Sequence, residues 1–238
     1  LVAVEAELYG DGGAYASLSD KVMTRATTHA TGPYNVPHAK IDCYAMYTNN
    51  PPSGAFRGFG VTQSAFAVEQ NMDMIAEQLG IDPVEFRYKN AQKVGVTTAT
   101  GQLLRESVGL LETIEKVDAD MRAGNFEWAW REGDMAYGWG VACAYKNTGL
   151  GGGAPDKSDA EVEAYEDGTV EVRTSSADMG QGLIAVLAQC AAEELGVPYK
   201  SVRVLLSDTD LTPNGGPTTA SRQTFMTGNA VRLASVNL

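Results

Sequence analysis

The sequence has little of what would classify a protein at a glance. Cysteine occurs three times, at Cys43, Cys143 and Cys190, with no CxxC pair among them. That odd, scattered set excludes a disulfide framework and argues against an iron–sulfur or zinc centre built from this chain. Histidine is scarcer: His29 and His38 are the two, and neither has a second ligand at metal-binding spacing. Basic residues are outnumbered, 18 Lys and Arg against 30 Asp and Glu, for a formal charge of -12. A nucleic-acid surface needs clustered cations to replace counterions, so no nucleic-acid partner is expected. The longest apolar run, "LIAVLAQCAA" at 183–192, falls far short of the ~20 residues that cross a bilayer. No basic segment leads into an apolar one, so neither a membrane nor a secretory route is expected, and a cytoplasmic location is.

What is present is patterned. At 238 residues the chain can form one large domain or two modest ones. Residues 2–9 set Val2, Val4, Ala6 and Leu8 against Ala3, Glu5, Glu7 and Tyr9, the period of a half-buried strand, ended by "GDGG". The pattern then predicts a helix from Ser19 to about His29 and a strand over 39–49. A long helix follows over 61–79, with Phe66, Met72, Ile75, Ala76 and Leu79 on its apolar face and Gly80 closing it. Asp82 and Pro83 open the next helix, and another is expected over 107–123. A boundary falls within 130–136. Beyond it strands dominate: one in 136–147, a hairpin turning at Asp167-Gly168, and one in 200–208. Helices over 182–195 and 221–235 are interleaved. The expectation is an α+β fold divided into 1–132 and 133–238. Its opening residues already read as a strand and its closing ones as a helix. A piece of a longer polypeptide is therefore expected, with uncovered apolar surface and a tendency to associate.

Three glycine turns each precede a helix. "GAFRGFG", residues 54–60, sets Arg57 between Phe56 and Phe59; "MGQG" covers 179–182; "TPNGGPTTASRQ" covers 212–223. Small residues let the backbone approach a ligand, and the first N–H groups of the next helix, with its positive dipole end, can hold an anion. One such turn is often only a turn with a cap. Three, with Gln181, Arg222 and Gln223 as side-chain donors, point to a polar ligand carrying phosphate. None is GxGxxG followed by an acidic residue, nor GxxxxGK[ST], which disfavours nicotinamide dinucleotides and P-loop nucleotides. "GDGGAY" at 10–15 reads as a plain turn, and "GLGGG" at 149–153 as a pocket wall or a loop tip.

In this order, "GAFRGFG" with a Gln after it, "MGQG" and "TPNGGPTTASRQTFMTGNA", together with "NMDMIAEQLGIDPVEFRYKNA", resemble the molybdenum-binding subunit of the xanthine dehydrogenase and aldehyde oxidoreductase family. The resemblance runs over about residues 1–235. It implies the C-terminal part of one molybdopterin-binding α+β domain and the N-terminal part of the next. It also implies molybdenum held through a pterin dithiolene and not by side chains, with or without a cytosine nucleotide. Iron–sulfur and FAD partners would lie on other domains or chains, in an oligomer. Carried over by motif, Phe56, Arg57 and Gly58 would lie by the metal and a small-molecule substrate. Gly180, Gln181 and Gly182 would lie by the pterin, and Thr219, Ala220, Ser221, Arg222 and Gln223 by pterin and phosphate. Arg57 and Phe59 are the catalytic candidates. The first would orient a substrate oxygen and stabilise developing negative charge, and the second would wall a flat substrate.

The activity implied is hydroxylation of an aldehyde or N-heterocycle with water as the oxygen source. The family's catalytic glutamate sits in a glycine-rich stretch that these residues lack, so it is expected outside them and the chain alone is expected to be inactive. Purine-oxidising members place a second phenylalanine near Gly152, where this chain has no side chain, which counts against a purine. The alternative is a non-catalytic module that only binds a ligand or a subunit.

Overall fold

The alternation at the start of the chain becomes β1 (Ala3–Asp11), with Val4, Ala6 and Leu8 turned inward. This is a computed structural model, and it describes residues 1–124 and 126–238. β1 pairs in parallel with β2 (His38–Met46), Ala3 opposite His38 and Asp11 opposite Met46. Parallel strands need a crossover, and α1 (Ser19–Thr28) supplies it. On the outer face the register sets Lys40 Nζ 2.8 Å from Glu5 Oε1 and stacks Tyr44 on Tyr9 at 5.0 Å. The "GDGG" turn serves packing: a Cβ at Gly13 would lie 2.3 Å from the Pro51 carbonyl oxygen.

Three helices follow, α2 (Val61–Leu79), α3 (Pro83–Asn90) and α4 (Leu110–Met121). Asp82 caps α3, its carboxylate accepting from the Val84 and Glu85 N–H groups at 2.9 and 3.2 Å. The core joins Tyr34, Met72, Ala76, Phe86, Ile114 and Cys143. α2 differs from expectation here, because Phe66 and Leu79 are exposed, 72% and 60%. Its inward face is Val61, Ser64, Glu69, Met72 and Ala76, with a carboxylate in the middle. Glu69 is buried because its partners are: it accepts from Arg87 Nε at 2.8 Å, from the Tyr34 hydroxyl at 2.6 Å and from the Cys143 N–H at 3.0 Å. Arg87, with no exposed surface, also reaches Asp73 at 2.7 Å. Burial alone would lower the pKa of this guanidinium, but the Asp73 and Glu69 carboxylates hold it above its ordinary value. The same setting, burial first and Glu69 second, pushes the Tyr34 hydroxyl and the Cys143 thiol up.

β3 (Ala129–Glu132) and β4 (Met135–Gly138) form an antiparallel hairpin that stacks Trp130 on Tyr137 at 5.1 Å. Phe126 meets Trp128 edge-on at 4.9 Å. The strand expected over 136–147 stops at Gly138; Trp139 donates one more N–H to the Trp128 carbonyl at 2.9 Å, and the chain then runs on as irregular backbone. Val141 and Cys143 pack into the first core. The chain therefore divides into compact units at Leu1–Lys146 and Asn147–Leu238, later than the 132/133 boundary expected from the sequence.

In the second unit β5 (Glu161–Ala164) and β6 (Val170–Thr174) form the hairpin about Asp167-Gly168, where Asp167 accepts from the Thr169 N–H at 2.9 Å. β7 (Val202–Leu206) joins β6 in parallel, with α5 (Leu183–Leu195) as the crossover and the sheet order β5-β6-β7. α6 (Gln223–Val236) packs on α5. Val172, Leu183, Leu187, Ala191 and Val231 make the core. The fold class is α+β in both units. Among the described residues no helix is long and apolar enough to cross a membrane.

Candidate functional site

The turn that carries Arg57 belongs to the first unit. Gly58, Phe59 and Gly60 all have positive φ, 103°, 47° and 92°. Phe59 donates its N–H to the Phe56 carbonyl at 2.7 Å and Val61 donates to Gly58 at 3.2 Å, so two tight turns follow one another. Gly60 is required by packing as well as by φ. A Cβ there would lie 2.1 Å from the Val22 carbonyl oxygen and 2.7 Å from the Ala26 nitrogen, both in α1. With its end pressed against α1, the turn presents Phe56 and Arg57 outward and leaves Phe59 half-buried. A non-glycine residue in the left-handed region is strained, and such strain gathers at ligand sites. No side chain of the cap residue closes the start of α2. A cleft of about 420 Å³ lies in the same unit, lined by Tyr9, Asp11, Met23, Gly54 and Gln63 among others.

In the second unit the "MGQG" turn differs from the free anion site its sequence suggests. Gly182, left-handed, starts α5 as expected. The amides, however, already have an anion: Asp178 Oδ1 accepts from Gly180 and Gly182 at 2.9 and 3.4 Å, and Oδ2 accepts from Ile184 at 3.0 Å. These bonds, that from Ile184 foremost, hold the Asp178 carboxyl below its usual range. Gln181 folds back on the turn, its Oε1 accepting from the Met179 N–H at 2.5 Å and its Nε2 donating to the Ala177 carbonyl at 2.9 Å. Gly180, Gln181 and Gly182 remain on the surface as a self-satisfied rim.

The third turn separates its residues into two groups. Thr219 and Ser221 are exposed, and Ala220 is half-buried. Ala220 and Ser221 have φ of 53° and 54°, a left-handed pair without glycine. Arg222 and Gln223, read from the sequence as ligand donors, point inward. Arg222 has no exposed surface; its Nε donates to Asp156, and its Nη1 donates to Gly215 and Pro217 carbonyls at 3.0 and 2.9 Å. Gln223 Oε1 accepts from the Ser176 hydroxyl at 2.9 Å and from that of Thr227. Its Nε2 donates to Thr218 Oγ1 at 2.9 Å. Both side chains therefore shape the turn from beneath. α6 starts without a side-chain cap from its cap residue, so its leading amides remain available.

The second and third turns are joined. Thr218 Oγ1 accepts from the Ala177 N–H at 2.9 Å as well as from Gln223, and Ala177 in turn accepts from Gln181. Asp156, Ser176, Asp178 and Thr218 are the structural members that motif reading passes over. Asp178, two residues before a Gly-x-Gly, carries a readable signal, because an Asp there can hydrogen-bond the turn that follows. Among the described residues no group of three or more His, Cys, Asp or Glu side chains gathers to hold a metal ion. In the first unit the donor on offer is the exposed Arg57; in the second the donors are backbone amides and the Thr219 and Ser221 hydroxyls, which suit a polar, partly anionic ligand.

Comparison with known proteins agrees with this chemistry. The sequence matches the molybdopterin cofactor-binding domain twice, over residues 1–91 and 112–238. It is 54% identical over 116 residues to the nicotinate dehydrogenase large molybdopterin subunit of Eubacterium barkeri, covering 49% of this chain and 27% of that one. It is 38% identical over 241 residues to an aldehyde oxidoreductase of Megalodesulfovibrio gigas, covering 100% of this chain and 26% of that one. The crystal structure of quinoline 2-oxidoreductase from Pseudomonas putida 86 superposes with a TM-score of 0.79 at 31% identity, over 99% of this chain and 32% of that one. The chain thus spans about a quarter to a third of the length of these three proteins.

Proposed function

The chain belongs to the molybdenum-binding subunits of the xanthine dehydrogenase and aldehyde oxidoreductase family, and on that premise we propose that it builds part of the molybdopterin site of a hydroxylase. The enzyme would oxidise an aldehyde or an N-heterocycle, taking the oxygen from water. The observation that carries the reading is the Thr219-Ala220-Ser221 turn, left-handed at Ala220 and Ser221, running into the uncapped start of α6 and tied through Thr218 to the "MGQG" rim. The hydroxyls of Thr219 and Ser221 and the leading amides of α6 would hold an anionic part of the cofactor. Gly180, Gln181 and Gly182, where Asp178 already takes the Gly180 and Gly182 amides, suit an uncharged part that must come close to backbone. Arg222 and Gln223 hold this surface in shape. In the first unit Phe56, Arg57 and Gly58, ahead of the uncapped α2, would face the reacting end. When bound, the cofactor supplies a Lewis-acidic metal that accepts electrons. Arg57 would hold a substrate oxygen and stabilise negative charge as it develops. Phe59, with the more exposed Phe56 beside it, would flank a flat substrate.

An N-heterocycle is favoured over an aldehyde by the nicotinate- and quinoline-named relatives, and an aldehyde by the aldehyde oxidoreductase that the whole chain matches. The cytosine dinucleotide form of the cofactor, iron–sulfur and FAD centres on partner domains or chains, a glutamate base from outside these residues, an oligomeric assembly and a cytoplasmic location complete the proposal. Elemental molybdenum and pterin analysis of the full-length protein tests it, followed by a screen of aldehydes against N-heterocycles in ¹⁸O-labelled water. Absence of both metal and pterin sinks the reading. Arg57→Ala should lower turnover by about 10²–10³-fold, the range for losing one donor to developing charge, with molybdenum content nearly unchanged. Loss of the metal instead would give Arg57 a role in cofactor retention.

A further inference from the structure

Asp156 lies outside the three glycine turns in sequence, yet it joins two loops in space. Its Oδ1 accepts from Arg222 Nε, and its Oδ2 accepts from the Leu150 N–H at 3.0 Å. Arg222 extends the tie by donating Nη2 to the Lys157 carbonyl. The Gly149 N–H donates to the Ala220 carbonyl at 2.9 Å. Gly216 closes the join, since a Cβ there would lie 2.7 Å from the Lys157 carbonyl oxygen and 3.0 Å from the Arg222 guanidinium. The segments 149–157 and 215–222 are therefore held together by an ion pair, shared carbonyls and a backbone bond. On the far side of this tie Gly151, Gly152 and Gly153 all have positive φ, and a Cβ at Gly152 or Gly153 would meet nothing within 4 Å. On the near side stand Ala220 and Ser221, whose left-handed backbone persists only if the surroundings over-determine it.

We propose that Asp156 is a positioning residue for the cofactor turn: acting through Arg222, it holds the left-handed pair Ala220-Ser221, and Thr219 ahead of it, in place and couples the glycine loop 149–153 to them. A ligand that settles on the turn then orders the glycine loop as well, although that loop belongs to none of the three turns. The Leu150 N–H first and Arg222 after it keep the Asp156 carboxyl below its usual range, so the tie stays charged at neutral pH. The inference rests on the reading that the turn receives molybdopterin.

Amide hydrogen exchange on the full-length protein tests it, with protein prepared from hosts able and unable to make molybdopterin. In the native sequence the cofactor should slow exchange in 216–222 and in 149–157 together, each by about tenfold or more, the signature of one cooperative unit. Slowing in 216–222 with 149–157 unchanged overturns the coupling alone. No slowing in either segment overturns the cofactor reading and this inference with it. Asp156→Asn keeps an acceptor but loses the charge and one of its two bonds. It should abolish the shared response and lower pterin content several-fold. A shared response that survives in Asp156→Asn removes Asp156 from the role. The native comparison stands even where the variant fails to fold.

Discussion

Asp178 shows how one carboxylate can decide what a loop offers. It sits where an incoming anion would otherwise go, and it leaves the "MGQG" turn rigid and electrically satisfied. Asp178→Ala should lower the thermal stability of the second unit by stranding the Gly180, Gly182 and Ile184 amides, and Asp178→Asn should do so less. Acid dependence follows from the same contacts. The folded carboxyl lies below the ordinary 3.8, so its contribution is present above that value and is lost as pH falls below it. Acid melts of Asp178→Asn should lose part of that slope. His29 acts the same way at milder pH. It is buried against Tyr145, its rings 4.8 Å apart, and its Nδ1 lies 2.8 Å from the Arg25 carbonyl. Burial foremost, then the Lys146 and Arg25 charges, lower it below 6.5 despite that carbonyl. Its share of stability is therefore present above 6.5 and declines as pH falls through the range beneath. His29→Gln should flatten urea-unfolding stability of the first unit between about pH 5 and 7, the window of histidine titration.

At the scale of elements, two glycines that look alike in sequence differ in what surrounds them. Gly60 and Gly182 both start a helix with positive φ, but only Gly60 faces another helix's backbone. Gly182→Ala meets open space and should cost about 1–2 kcal/mol of left-handed strain. Gly60→Ala adds a collision with α1 that no side-chain motion relieves, so denaturation should show a much larger loss or no folded product. The helix starts at Val61 and Leu183, the Asp82 cap, the β1 alternation and the Asp167-Gly168 hairpin were all legible, because period and turn chemistry are local. The inner face of α2 was not. Apolar periodicity favours Phe66 and Leu79, whereas Glu69 goes inside to meet Arg87, eighteen residues on, and Cys143, from far along the chain. Likewise the motif around Arg222 was readable, but not that the guanidinium points in toward Asp156, since a residue string carries no direction.

At the scale of the whole molecule, each unit has its own core, and the first is organised about an ion pair that tolerates no missing partner. Glu69→Ala would leave Arg87 buried with Asp73 and backbone carbonyls alone, and should cost the first unit about 3–5 kcal/mol. Far-UV dichroism should show that loss as an earlier melting step, with the helices of the second unit unaffected. The aromatic cluster beside β3 and β4 bears on how such a step is seen. All three tryptophans, Trp128, Trp130 and Trp139, lie there, and residues 147–238 have none. Indole emission from this protein is thus a lamp lit in one room only. The half that carries Asp156, Asp178 and Arg222 stays dark until a reporter is installed, and Phe225, 62% exposed on α6, is a place where an indole fits without disturbing the interior.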